Sequence, residues 1–227
     1  IIINDNISST VFKGYDLGEV DGKICKYREA KSEDGSVNYH IVTDVTTFYP
    51  EGGGQIGDTG ILVSSADEIQ VIDTFKDSGD IIHLTKSLPS NLESQVKLKI
   101  TKDRRSLIEA NHTSTHLLHQ ALRQILGEHV EQRGSMISAE IFRFDFSHPS
   151  KLSDSDLESI DSFVNGKIKE SIPLVENREE DYHTAIKNGA IGLFTEKYAD
   201  KVRTVKFNES YELCGGTHVK NTSKLKT

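Results

Sequence analysis

The chain has 227 residues, 35% of them apolar and 27% charged, with a formal net charge of -8. That is long enough for one large domain or two small ones. No apolar run approaches the roughly 18 to 20 residues of a membrane span, and the first residues show no basic stretch, so neither a span nor a readable secretory signal is expected in this sequence. The two cysteines, Cys25 and Cys214, are too few and too far apart for a disulfide scaffold, which fits a reducing, cytoplasmic setting. Met136 is the only methionine, which suggests a piece of a longer protein. The acidity is concentrated early, with 10 Lys+Arg against 17 Asp+Glu over residues 1–103 and 17 against 18 over 104–227. A polyanionic partner is neither required nor excluded by that balance.

Up to about residue 100 the chain shows short strand-like runs separated by turn residues: 23–27, 39–44, 60–63, 68–75, 81–84 and 95–100. The last alternates Val96, Leu98 and Ile100 with Lys97 and Lys99, the period-2 signature of a half-buried strand. Many short strands predict a small barrel or sandwich over residues 1–102. The glycine-rich stretch 51–60 lacks the Gly-Lys-Ser/Thr ending of a phosphate loop and reads as a turn.

From Arg104 the period becomes helical and stops at Gly127. Leu107, Leu118, Ala121 and Ile125 fall on one side, and His112, His116 and His119 lie roughly opposite, which predicts an apolar face and a histidine face. Strands are expected at 135–137 and 141–146, then a helix with Ser153 as N-cap, a short helix closed at Gly189, a strand over 202–207 and a glycine-broken turn. Residues 103–227 therefore read as α+β, with an antiparallel sheet and a long histidine-bearing helix.

Two short stretches carry the chemistry. His112 and His116 stand at i and i+4 on a helix, and Cys214 and His218 stand four apart on a turn that contains Gly215 and Gly216. Three imidazoles and a thiolate suit tetrahedral Zn²⁺, one per chain. Thr113 occupies the place of the general-base glutamate in an HExxH protease, so that mechanism has no base here.

The blocks Asn111 to His119, Gly127 to Ser135, Arg143 to His148 and Cys214 to Val219 together resemble the editing domain of alanyl-tRNA synthetase and the free-standing AlaX-type deacylases. The segment Thr47 to Gly60 is similar to the glycine-rich stretch that precedes the site in that family. The resemblance spans residues 44–219. It implies a hydrolase that cleaves serine or glycine from the 3' end of mischarged tRNA(Ala), with His112, His116, Cys214 and His218 as zinc ligands. It further implies Thr115 and Gln132 at the amino-acid pocket, the backbone of Gly215 and Gly216 at its border, and the remaining synthetase domains and tRNA as partners. Two other readings fit the same residues: a zinc-stapled RNA-binding module without catalysis, and an editing domain of the threonyl type.

Overall fold

The computed structural model describes residues 9–31, 35–192 and 198–225, so the first residues, searched above for a signal, lie outside it. The structure is mostly sheet, with three helices of more than one turn among the described residues. The elements in order are β1 (Val11–Phe12), β2 (Glu19–Lys31), β3 (Val37–Thr43), β4 (Val45–Thr46), β5 (Gly60–Val63), β6 (Glu68–Asp77), β7 (Asp80–Thr85) and β8 (Gln95–Ile100). Then come α1 (Lys102–Leu126), β9 (Gln132–Ile137), β10 (Phe142–Phe146), α2 (Asp154–Lys169), β11 (Val175–Asp181), α3 (Tyr182–Lys187), β12 (Lys201–Phe207) and β13 (Ser210–Leu213). The chain divides into two compact units, one made of Ile1–Gly52 and Ile56–Arg105, the other of Gly53–Gln55 and Ser106–Thr227.

The first unit is a closed barrel of strand order β2-β3-β7-β6-β5-β8, in which β2 closes the ring by pairing with both β3 and β8. Closure removes free sheet edges. Alternation supplies the interior: Ile24, Ile41, Leu62, Val71, Val96 and Leu98 point inward and pack with Phe48. Lys97 and Lys99, the polar partners of the β8 alternation, are only partly covered. One buried ion pair ties this unit together. Arg105 Nε donates to both oxygens of Asp58 at 3.0 Å, while its terminal nitrogens donate to Gly14 O at 2.7 Å and Thr47 O at 2.9 Å. Asp58 also accepts the Tyr49 amide at 2.7 Å, so each charge is met by several partners, as a buried pair requires.

In the second unit α1 packs against the three-stranded antiparallel sheet β11-β12-β13, the hairpin β9-β10 and α2. Leu117 meets Ile168, Val205, Phe207 and Val219 in one apolar cluster, and Ala121 and Leu122 meet Val130 and Ile160 in another. Helix α2 starts where the capping signal stands: the Ser153 hydroxyl accepts the Asp156 amide, and Asp156 returns a bond to the Ser153 amide.

Both faces of α1 are enclosed over most of its length. Leu118, Ala121 and Ile125 pack in the apolar cluster with Val130 and Ile160, and only Leu107 of the apolar set is exposed, at 51%. His112, His116 and His119 are 4%, 2% and 1% exposed, because other polar side chains of the second unit cover them.

Candidate metal centre

Helix α1 supplies His112 and His116, and the turn after β13 supplies Cys214 and His218. The ring centroids of His112, His116 and His218 lie 4.3 to 5.3 Å apart. Cys214 Sγ stands 3.4 Å from His112 Nε2 and 3.3 Å from His218 Nε2. One donor atom from each of the four residues falls within 4.8 Å of all the others, an arrangement that could hold a metal ion.

The surroundings fix the donor nitrogens. Gln55 Oε1 accepts the Thr217 amide at 2.9 Å, which assigns that atom as the oxygen, and it lies 2.8 Å from His112 Nδ1. His112 therefore carries its proton on Nδ1, and its Nε2 lone pair faces Cys214. Thr113 Oγ1 accepts the Val219 amide at 3.2 Å and lies 3.1 Å from His218 Nδ1, so the residue that replaces the protease glutamate anchors a histidine instead. His116 Nδ1 is buried and has no hydrogen-bond partner among the described residues, which suits a nitrogen whose lone pair would meet an ion.

The electrostatics agree with a ligand set awaiting a cation. Burial holds His112 and His218 well below the usual imidazole range, with neighbouring imidazoles adding to the effect, and lowers His116 as well. All three are thus neutral and able to donate a lone pair. Burial also pushes the Cys214 thiol up to about 11. A bound cation reverses that direction, because it favours the thiolate.

The turn that carries Cys214 is held from outside. Arg203 on β12 donates one nitrogen to both Cys214 O (2.8 Å) and Gly216 O (2.7 Å), and pairs through the others with Glu176 on β11 at 2.6 to 2.8 Å. Desolvation raises the Glu176 pKa, but hydrogen bonds from Arg178 and Arg203 outweigh it and keep the carboxyl below its ordinary value. Gly216 packs on the His112 ring, with no space for a Cβ, whereas nothing lies within 4 Å of a Cβ at Gly215.

Thr115 is 4% exposed and donates its hydroxyl to Asn111 O at 2.9 Å, which leaves only its lone pairs free to accept. Gln132 opens strand β9 and donates to Ser135 Oγ at 3.1 Å. Ser135 in turn lies against Gly54, whose φ of +83° and crowded Cβ position (2.8 Å from Ser135 O) admit only glycine. The Gly54 carbonyl accepts the Ile137 amide at 2.8 Å. In this way the glycine-rich stretch delivers Gln55 to His112. Gln55, Thr113, Arg203, His119 and Glu212 complete the surroundings. Of these, Thr113 and His119 stand out in the sequence beside His112 and His116, whereas Gln55, Arg203 and Glu212 do not.

Residues 2–106 match the family model described as tRNA synthetases class II (A), and residues 202–227 match the threonyl and alanyl tRNA synthetase second additional domain. The chain is 52% identical over 215 residues to an alanine–tRNA ligase of Christiangramia forsetii, covering 94% of this chain and 25% of that protein. It is 46% identical over 217 residues to the alanine–tRNA ligase of Bacteroides fragilis and 45% over 234 residues to that of Flavobacterium psychrophilum, covering 96% and 99% of this chain and 25% and 26% of theirs. The chain thus spans about a quarter of the length of these curated relatives. Nearly the whole length of the chain thus corresponds to one segment of the alanyl-tRNA synthetases.

Proposed function

We propose that this chain is the editing part of an alanyl-tRNA synthetase, hydrolysing the ester of seryl- and glycyl-tRNA(Ala), with one zinc ion held by His112, His116, Cys214 and His218. The observation that carries the reading is the convergence of three neutral imidazoles and one thiol within 4.8 Å in a chain that corresponds to a segment of the alanyl-tRNA synthetases. Zinc is favoured among metals by the nitrogen and sulfur donors and their four-fold count.

The need for such an activity is physical. A pocket shaped for alanine's methyl group cannot exclude glycine, and it rejects serine weakly, since one-group differences are worth about 1 to 3 kcal/mol. A second site that selects the other way supplies the missing discrimination.

In the reaction water adds to the ester carbonyl, the C–O bond to the terminal ribose breaks, and the ribose oxygen takes a proton as the amino acid leaves. Zinc, when bound, would supply a Lewis acid that polarises or orients the substrate. The protein's own groups position it. Thr115, its proton committed to Asn111 O, offers Oγ1 as an acceptor for a serine hydroxyl. Gln132, which bonds Ser135, serves as the second pocket residue in this reading. Gly215, where a Cβ would meet nothing within 4 Å, borders the pocket, and Gly216 keeps the turn against His112. The tRNA 3' end and the remaining synthetase domains are the partners, in the cytoplasm. No helix among the described residues is long and apolar enough to cross a membrane.

The test is deacylation of seryl-, glycyl- and alanyl-tRNA(Ala) by the chain, with and without chelator. Hydrolysis of the first two and sparing of the third is the expected result. Hydrolysis of none of them, by metal-loaded protein, would leave the zinc-stapled binding module as the better reading, and selective action on seryl-tRNA(Thr) would favour the threonyl type.

A further inference from the structure

Glu212 lies on β13, two residues before Cys214, and is 2% exposed. Its Oε1 accepts from His119 Nδ1 at 3.0 Å, and its Oε2 lies 3.7 Å from His116 Nε2. A carboxylate enclosed this fully needs a cation. Of the two imidazoles facing it, His119 serves it as a hydrogen-bond donor and His116 is a ligand in the metal reading above, on which this inference rests. Arg123 contributes only through space, its guanidinium being held by the carbonyls of Glu128 and Val130.

We propose that Glu212 is the counter-charge and positioning residue of the metal centre, matching the buried carboxylate to the cation that the four ligands hold. A divalent ion with one thiolate and three neutral imidazoles keeps one uncompensated positive charge. Glu212 cancels it. The other buried charges nearby balance separately, because Arg203 is paired with Glu176. The carboxylate also bonds His119 and faces His116 one turn away, and so ties α1 to β13 at the level of the ligands. His119 is held on its other side by Phe144, at a ring separation of 5.3 Å, and acts as the strut through which Glu212 grips the helix.

The experiment measures zinc affinity by competition with a chromophoric chelator, together with the thermal midpoint of the metal-free and metal-loaded chain, for wild type and Glu212→Gln. Carboxylates that orient a metal's histidines are worth 10- to 100-fold in affinity. Glu212→Gln should therefore lose at least tenfold in affinity, while its metal-free midpoint stays equal to or above that of the wild type, since an uncompensated buried charge has been removed. A loss under tenfold, or an equal fall in midpoint with and without zinc, overturns the proposal. If the glutamine variant does not fold, Glu212→Asp takes its place: affinity within threefold of wild type supports a role carried by charge, and a larger loss overturns it. A wild-type chain that binds no zinc would instead remove the metal reading itself.

Discussion

Gly216 and His112 touch so closely that the glycine has no room for a side chain: a Cβ there would overlap the imidazole and stand 2.8 Å from Gln55 Oε1. Its neighbour Gly215 faces open space. Gly216→Ala should therefore displace His112 and lower metal content to well under half an equivalent, with a stability loss of about 1 to 3 kcal/mol from overpacking. Gly215→Ala should keep the metal and the fold, and any effect should appear in ester hydrolysis alone. Metal analysis of the two purified variants checks the contrast.

Thr115→Val should act on one substrate. The variant keeps the shape and removes Oγ1, so a serine hydroxyl is left unpaired at a cost of about 1 to 3 kcal/mol, roughly 5- to 150-fold in kcat/KM. Glycine has no hydroxyl to lose, and its rate should change less than about threefold, within the small effect of losing a back-bond to Asn111 O. Equal, mild losses on seryl- and glycyl-tRNA(Ala) would show that the hydroxyl serves only the helix.

Arg203→Lys should destabilise the chain by about 3 kcal/mol, as expected for opening a buried ion pair, because an ammonium cannot hold Glu176 and two carbonyls at once. Zinc affinity should fall with it, since Cys214 and Gly216 lose their common anchor. Chemical denaturation of the metal-free chain and chelator competition measure the two effects.

A pH dependence belongs to the barrel. Burial pushes His83 down to about 4, and its ring lies 2.7 Å from Thr46 Oγ1 and 3.1 Å from Ile41 O. Above its ordinary value of 6.5 the ring is neutral folded and unfolded, and it contributes no pH dependence. As pH falls from there toward 4, the unfolded chain takes up a proton that the folded one refuses, so stability is lost at up to about 1.4 kcal/mol per pH unit. His83→Gln should reduce the slope in melts of metal-free protein between these pH values by up to that amount, leaving the share of His112, His116 and His218, and an unchanged slope would assign it elsewhere.

The parts of the fold legible in the sequence are those set by local rules. Strands β5 and β8 begin and end where alternation and turn residues place them, and α2 begins at its capping box. Strand β11, Val-Glu-Asn-Arg-Glu-Glu-Asp, escapes notice because it has no apolar alternation: its charged side chains serve β12, as Glu176 does with Arg203. Strand β13 is hidden by the glycine turn beside it. The four metal-binding candidates could be picked out because their residue types and i, i+4 spacing are rare together. Gln55 and Glu212 could not, since they meet His112 and His119 across 57 and 93 residues. Nor could the burial of the histidine face, because hydropathy does not register polar groups enclosed by other polar groups.

The bond from Gln55 to Thr217 joins residues 162 positions apart. Contacts of that span are closed late, since the chain must first lose the freedom of the long loop between them. During synthesis the helix bearing His112 and His116 leaves the ribosome about a hundred residues before Cys214 and His218. Any nascent or truncated chain that stops short of residue 218 therefore has a helix with two histidines but no completed centre. Metal retention would thus report on chains that extend at least to residue 218.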